Sequence, residues 1–511
     1  MSSSPATAES SWSTRLLDRV ERVGNALPDP VTLFFLFIAI VMVASWIAST
    51  AGVSAVHPGT DETIAVDNLF SSENIRRLFV EMPETFAAFP PLGLVLVVML
   101  GIGVADKSGL ISAALSAFVQ SVPDVLLTSA LVFAGIMSSL AVDAGYVVVI
   151  PLGAVLFYGA GRHPLAGLAA AFAGVSAGFS ANLSLTSLDP LLAGFTQPAA
   201  QLIDPSYTVD ATANYYIMIV LVPIFMAAGV WVTEKIVEPR LGSYTPHDDL
   251  DVDQSHDLSD EERRGLRIAG LVFAVTSLGV ALLVVPEDAP LRAASGALDP
   301  FYQSIVGLMV VLFFLPGLAF GMATGKVESD KDVAKMMADT MADMGAYIVL
   351  AFAAAHFIAM FNWSNLGSVL AITGANGLEA IGFTGLPLIV AFIFVSALIN
   401  MFVGSASAKW AILAPIFVPM LMLLGYSPET TQAAYRIGDA FTNILTPLLP
   451  YFPLVIIFAQ RYVKDSGIGS IIALMLPYSI VFGIVSTTTL VLWIAFDLPL
   501  GPGVPLEYVT P

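Results

Sequence analysis

The sequence predicts an all-α polytopic membrane protein built around a duplicated, proline-interrupted unit. Three observations predict it. Of 511 residues, 57% are hydrophobic and only 12% charged, about half the charge of a typical soluble domain, and mean hydropathy is +0.83. The apolar residues fall into roughly ten stretches separated by short polar gaps, the pattern of membrane-spanning helices. Two further apolar runs are broken by proline and related by a fixed offset. An outer-membrane barrel is excluded, because its strands would alternate apolar and polar residues.

Residues 1–28 read as a cytoplasmic segment: the start is Ser/Ala-rich, and Arg15, Arg19 and Arg22 precede the first apolar run without a small-residue cleavage site. A span over 31–49 then places the polar stretch 53–90 outside. Spans near 92–104, 126–140, 166–185 and 215–232 complete a first membrane half, 29–237. An acidic linker, 238–264, follows, with Asp248, Asp249, Asp251, Asp253, Asp257, Asp260 and Glu261. The neighbouring Lys235, Arg240, Arg263, Arg264 and Arg267 place it in the cytoplasm. Spans near 268–285, 305–320, 346–360, 386–403, 445–458 and 471–494 form the second half, 265–511. Twenty basic against forty acidic residues give a net charge of −20, which argues against nucleic acid as a partner and points to the salt-rich cytoplasm of a halophile. With no cysteine, disulfides, thiolate nucleophiles and Fe–S clusters are excluded.

The two interrupted runs, 145–161 and 410–425, suit re-entrant hairpins at about 143–161 and 404–425 better than simple crossings. An ungapped offset of 264 residues relates them. Met137, Ala144, Pro151, Gly161, Pro164, Ala169, Ala170 and Gly174 recur as Met401, Ala408, Pro415, Gly425, Pro428, Ala433, Ala434 and Gly438, eight identities in 38 positions. Tyr146 falls opposite Trp410, and Asp143 opposite Ser407. Such a duplicated pair marks a secondary transporter, because broken helices expose carbonyls and helix N-termini to a substrate. Hydropathy leaves open whether the repeats are inverted.

Charges inside apolar segments are costly, so each is a functional candidate. The clearest are Asp143, Asp189, Lys409, Arg436 and Asp439. Arg436 and Asp439, at i and i+3, share a helix face where they could pair; either they form a structural ion pair, or Arg436 holds a substrate carboxylate while Asp439 binds Na⁺ or exchanges a proton. Asn400, Ser405 and Ser407 supply oxygens for a hard cation, so a Na⁺ near Asp439 and Asn400 is expected; close helix packing is the alternative. Trp410 is either an interfacial belt residue or a substrate-stacking ring. Gly174–Gly178 matches G-x-S-x-G, yet no strand precedes it, so a nucleophile elbow is rejected. His356 reads as a hydrogen-bonded packing residue and His163 as a weak candidate base. No Walker motif is present, and neither a catalytic site nor a cofactor is expected.

At these residues the sequence resembles the p-aminobenzoyl-glutamate transporter (AbgT) family. The resemblance runs through Arg19–Pro28, Asp143–Pro151, Ala173–Asn182, Phe361–Gly367, Gly404–Trp410 and Tyr435–Asn443. It implies a homodimer in the cytoplasmic membrane, each protomer with about nine transmembrane helices and two re-entrant hairpins in inverted repeats. It also implies cation-coupled uptake of p-aminobenzoyl-glutamate or export of sulfonamide antimetabolites, with Na⁺ or H⁺ as the coupling cation. By resemblance Asn400, Ser407, Trp410, Pro428, Arg436 and Pro447 bind the anionic substrate. Asp189, Asp439, Asn182 and Asn443 serve ion or proton coupling. An ion channel, or a carrier of other dicarboxylates, is the alternative; saturable counterflow separates a carrier from a channel.

Overall fold

The computed structural model describes residues 30–56, 62–140, 145–245, 258–296 and 298–508. Asp143 and most of the acidic linker, 246–257, lie outside the described residues. Helices dominate. Among the described residues the one sheet is an antiparallel pair, Ser54–Val56 with Thr63–Ala65. Among the described residues seven helices are long and apolar enough to cross a membrane, or eight if the pair Leu92–Lys107 and Leu110–Gln120, bent by 58°, is one span.

Two expected spans are not continuous helices. The stretch 166–185 belongs to Pro164–Phe172 and the π-helical Ala173–Ala177, after which the chain unwinds until Leu188–Ala200. The stretch 445–458 falls half in a second unwound break, after Pro428–Thr442, and half in the helix Phe452–Gln460. Hydropathy registers apolar composition, and an unwound apolar segment carries the same composition as a helical one. The breaks are therefore invisible to it.

The expected hairpins are also only half of what the chain builds. Each tip joins two helices: Leu127–Met137 to Gly145–Val149 and Ile150–Gly159 in the first half, and Leu386–Asn400 to Ala406–Leu423 in the second. The preceding limbs were expected to be spans. The first limb, helical over Asp124–Leu140 with its end turns, and the second, Leu386–Asn400, reach about 26 and 23 Å at 1.5 Å per residue, short of a hydrocarbon core of about 30 Å.

The 264-residue offset has direct geometric content. Gly161 and Gly425 both turn the chain at φ +71° and +91°, a left-handed conformation that other L-residues resist. Pro164 and Pro428 both open the next helix at its first turn, where a missing N–H costs nothing. Gly174 and Gly438 both press against the backbone of the preceding limb: a Cβ would lie 2.5 Å from Val132 O in one case and 2.3 Å from Ile393 O in the other. Both helices restart in register, at Leu188 and Phe452.

Outside these units, Pro90–Lys107 packs on Asp299–Ala323, which packs on Asp260–Leu282, while Pro30–Thr50 packs on Gly345–Trp363. Leu271, Phe273, Val275, Leu278 and Leu282 face outward, as suits a surface in contact with lipid. The polar stretch expected outside folds as the small sheet and two short helices, Ser72–Val80 and Met82–Ala87. It is anchored by Asn365 Nδ2 donating to Ala65 O (2.9 Å) and by Arg77 stacking 4.4 Å from the Trp363 ring centroid.

Candidate functional site

The two tips and the two breaks meet at a cavity of about 430 Å³. Ser138, Ser139 and Tyr146 contribute from the first tip, Thr186 and Ser187 from the first break, Ser405 and Ser407 from the second tip, and Asn443 and Tyr451 from the second break. Its volume is that of a small-molecule pocket. Three helices, Leu188–Ala200, Ala406–Leu423 and Phe452–Gln460, begin at its wall, and helix N-termini favour anions. Tyr146 and Tyr451 stack at 4.3 Å with 12° between their planes, giving the cavity an aromatic wall.

Each break is tied to its tip at equivalent positions. In the first half Asn182 Nδ2 donates to Ser139 Oγ at 2.9 Å; in the second Thr446, 264 residues on, donates from Oγ1 to Met401 O at 3.3 Å. Pro447 follows within the break, where its lack of an N–H opposes helix formation. Ser407 and Asn443 line the cavity, and Ser407 Oγ lies 3.2 Å from Ser405 Oγ.

The buried charges pair across elements, not along the helix. Arg436 does not pair with Asp439. Its Nη1 donates to Asp189 Oδ1 at 2.5 Å, and Asp189 Oδ2 accepts from Thr186 N and Oγ1 at 2.6 and 2.9 Å. This ion pair joins the first broken helix to the second. Asp439 instead pairs with Lys409, whose ammonium also donates to Asn400 Oδ1. Tertiary packing overrides the i, i+3 spacing because each carboxylate reaches a cation on another element. The ammonium thus stands between Asn400 and Asp439, where a Na⁺ was expected.

Trp410 and Pro428 do not line the cavity. The Trp410 ring is fully buried, stacked on Tyr435 at 4.5 Å, and donates from Nε1 to Thr196 Oγ1 at 2.9 Å. The aromatic rings lining the cavity are its repeat equivalent, Tyr146, together with Tyr451, Phe179 and Tyr347, none of the last three singled out by the sequence. Pro428 starts a helix whose far end reaches the second break 14 residues on, about 21 Å away, so its place is a helix start. His356 bonds through Nδ1 to Phe352 O at 2.7 Å, and the His163 Nδ1 caps Pro164–Phe172. Ser176 lies on the π-helix Ala173–Ala177 with no strand before it.

Sequence reasoning also missed Glu429, only 3% exposed. It accepts from Tyr207 Oη at 2.9 Å and marks the buried start of its helix. Its position in a first turn, where acids ordinarily face water and favour the helix dipole, gave no signal of burial. On the loop before Tyr215–Val232, burial beside Glu429 pushes the Tyr207 phenol well above its usual range.

A cavity lined by two repeated tips and two unwound breaks, inside a bundle of apolar helices, has the architecture of a multi-pass membrane transporter. The family follows from the comparisons: a model described as the "AbgT putative transporter family" matches residues 15–508, and the chain belongs to that family. It is 38% identical over 507 residues to the p-aminobenzoyl-glutamate transport protein of Escherichia coli (strain K12), covering 99% of each chain. It superposes with a TM-score of 0.90 and 45% identity on the YdaH transporter of Alcanivorax borkumensis, over 93% of this chain and all of that one. MtrF of Neisseria gonorrhoeae, described with a class of antimetabolite efflux pumps, gives the same TM-score and identity over 96% of this chain and all of MtrF.

Proposed function

We propose that the chain is a cation-coupled secondary transporter of p-aminobenzoyl-glutamate-like aromatic carboxylates, working as a homodimer in the cytoplasmic membrane of a salt-accumulating cell. The observation that carries this reading is the cavity itself: three helix N-termini and a set of hydroxyls beside a stacked tyrosine pair. Such a wall suits a molecule with anionic groups and an aromatic ring. Arg436 does not line the cavity; its Nη2, buried without a hydrogen-bond partner, would reach a substrate carboxylate only if the broken helices moved apart. Ser407, Asn443 and Ser405 offer neutral hydrogen bonds. The tips, as re-entrant hairpins of inverted repeats, would move with the broken helices against the remaining bundle and expose the cavity to each side in turn.

The test is uptake of labelled p-aminobenzoyl-glutamate into proteoliposomes under an imposed Na⁺ gradient, a proton gradient or none. Saturable concentrative uptake under one gradient supports the reading and names the ion. Asp439→Asn is expected to abolish gradient-driven flux in folded protein; retained concentrative uptake in that variant refutes its part in coupling. The likeness to MtrF favours a second direction of use, export of antimetabolites of the sulfonamide type. Loading the same vesicles with a sulfonamide and following efflux tests it.

A further inference from the structure

The position where the sequence led to a dissolved cation already holds one. Asn400, Lys409 and Asp439 are 0, 1 and 0% exposed, and the Lys409 ammonium both pairs with Asp439 and donates to Asn400 Oδ1. The Asn400 side chain is oriented for this contact. Its amide faces Asp439 O, Thr442 Oγ1 and Asn443 Oδ1 at 2.7 to 2.8 Å, which turns the amide oxygen toward Lys409. The Asp439 carboxylate is buried, with the Tyr435 phenol beside it. An amide oxygen and a carboxylate are the donors a hard monovalent cation takes.

The repeat shows that the fold does not need charge at this place. Positions 264 earlier are Ile136, Gly145 and Val175. A Cβ on Gly145 would lie 2.9 Å from Val175 Cγ1, so those two positions are neighbours as Lys409 and Asp439 are, yet the set is apolar. No other ionisable group on the helices packed around Lys409 competes for its ammonium. Arg436 is held by Asp189, Tyr435 donates to Ala406 O, His356 bonds to Phe352 O, Glu429 bonds to Tyr207, and Glu379 is exposed.

We propose that the space between Asn400 and Asp439 is a monovalent-cation site whose resident occupant is the tethered ammonium of Lys409. The unmodified chain then takes no dissolved metal ion there, and a small cation enters only once the ammonium is removed. A carboxylate buried alone is strongly disfavoured, so its removal creates demand for Na⁺ or for a small alkylammonium. The inference goes beyond the cation-coupled reading above, since it leaves no room for a dissolved coupling metal ion between Asn400 and Asp439. Its test measures binding, not transport, so either can fail without the other.

Full-length protein in detergent is melted in choline chloride, with NaCl or methylammonium chloride substituted at constant ionic strength. Lys409→Ala should melt below the wild type in choline. Its melting temperature should rise saturably with Na⁺ or methylammonium, as for a ligand that binds only the folded chain. The wild type and Lys409→Ala with Asp439→Asn should lack this additional rise, whatever common response a Na⁺ bound elsewhere gives all three chains. Lys409→Met, which keeps the apolar stem, carries the same test where the alanine variant does not fold. Labelled Na⁺ binding completes it: about one equivalent per chain in the lysine variants that is absent from the wild type. A saturable Na⁺ site in the wild type that Asp439→Asn removes, or an identical cation response in all chains, overturns the proposal.

Discussion

Double-mutant cycles on the buried charges decide between pairing along the helix and pairing across elements. Arg436 and Asp189 meet at 2.5 Å with side chains 4% and 0% exposed. At an effective dielectric constant of about 20, unit charges at that distance attract by about 6.6 kcal/mol. Desolvation of both groups offsets part of this, and removing one partner of a buried pair costs about 3–5 kcal/mol because the other charge is left uncompensated. Asp189→Asn and Arg436→Gln should each destabilise the chain by that amount. Their combination should fall short of additivity by about 2–3 kcal/mol. The cycle joining Arg436→Gln and Asp439→Asn should show only the coupling of an i, i+3 helix neighbour, about 0.2–0.5 kcal/mol. Unfolding in mixed micelles, followed by tryptophan fluorescence, gives all three quantities. A coupling between positions 436 and 439 larger than that between 189 and 436 would refute the cross-element pairing.

Five further outcomes follow from the same geometry. Tyr451→Leu or Tyr146→Leu should raise the KM for an aromatic substrate about 2- to 13-fold, the equivalent of a ring contact of about 0.5–1.5 kcal/mol. Trp410→Phe should leave KM unchanged and lower stability by about 1 kcal/mol through loss of the bond to Thr196; transport kinetics and melting of the same preparations separate the two. Gly425→Ala, with open space around its Cβ but φ at +91°, should cost about 1–2 kcal/mol in backbone strain. Gly438→Ala should cost more, since its Cβ would meet Ile393 O and the limb must move. Pro428→Ala should change stability by less than about 0.5 kcal/mol and leave KM unaltered, as expected of a helix start distant from the cavity.

By itself the sequence determined the class. Long apolar helices, the 264-residue offset and the intramembrane charges at Asp189, Lys409, Arg436 and Asp439 were all legible, because burial in lipid and chain duplication write themselves into composition and spacing. The hydroxyls of Ser405 and Ser407 were legible as cavity-lining candidates with close helix packing as the alternative, whereas Asn443 entered only through the family resemblance. What only the tertiary structure decided was partnership. Hydropathy does not tell an unwound break from a helix, so the preceding limb of each tip and the stretches 166–185 and 445–458, each of which contains part of a break, read as ordinary spans. Helical spacing could not reveal that Arg436 reaches Asp189, 247 residues away. It could not reveal that Tyr146 turns its ring to the cavity while Trp410 turns its own to Tyr435. Each of these depends on which distant element lies opposite a side chain. A local sequence window does not contain that element, and only the packed chain supplies it.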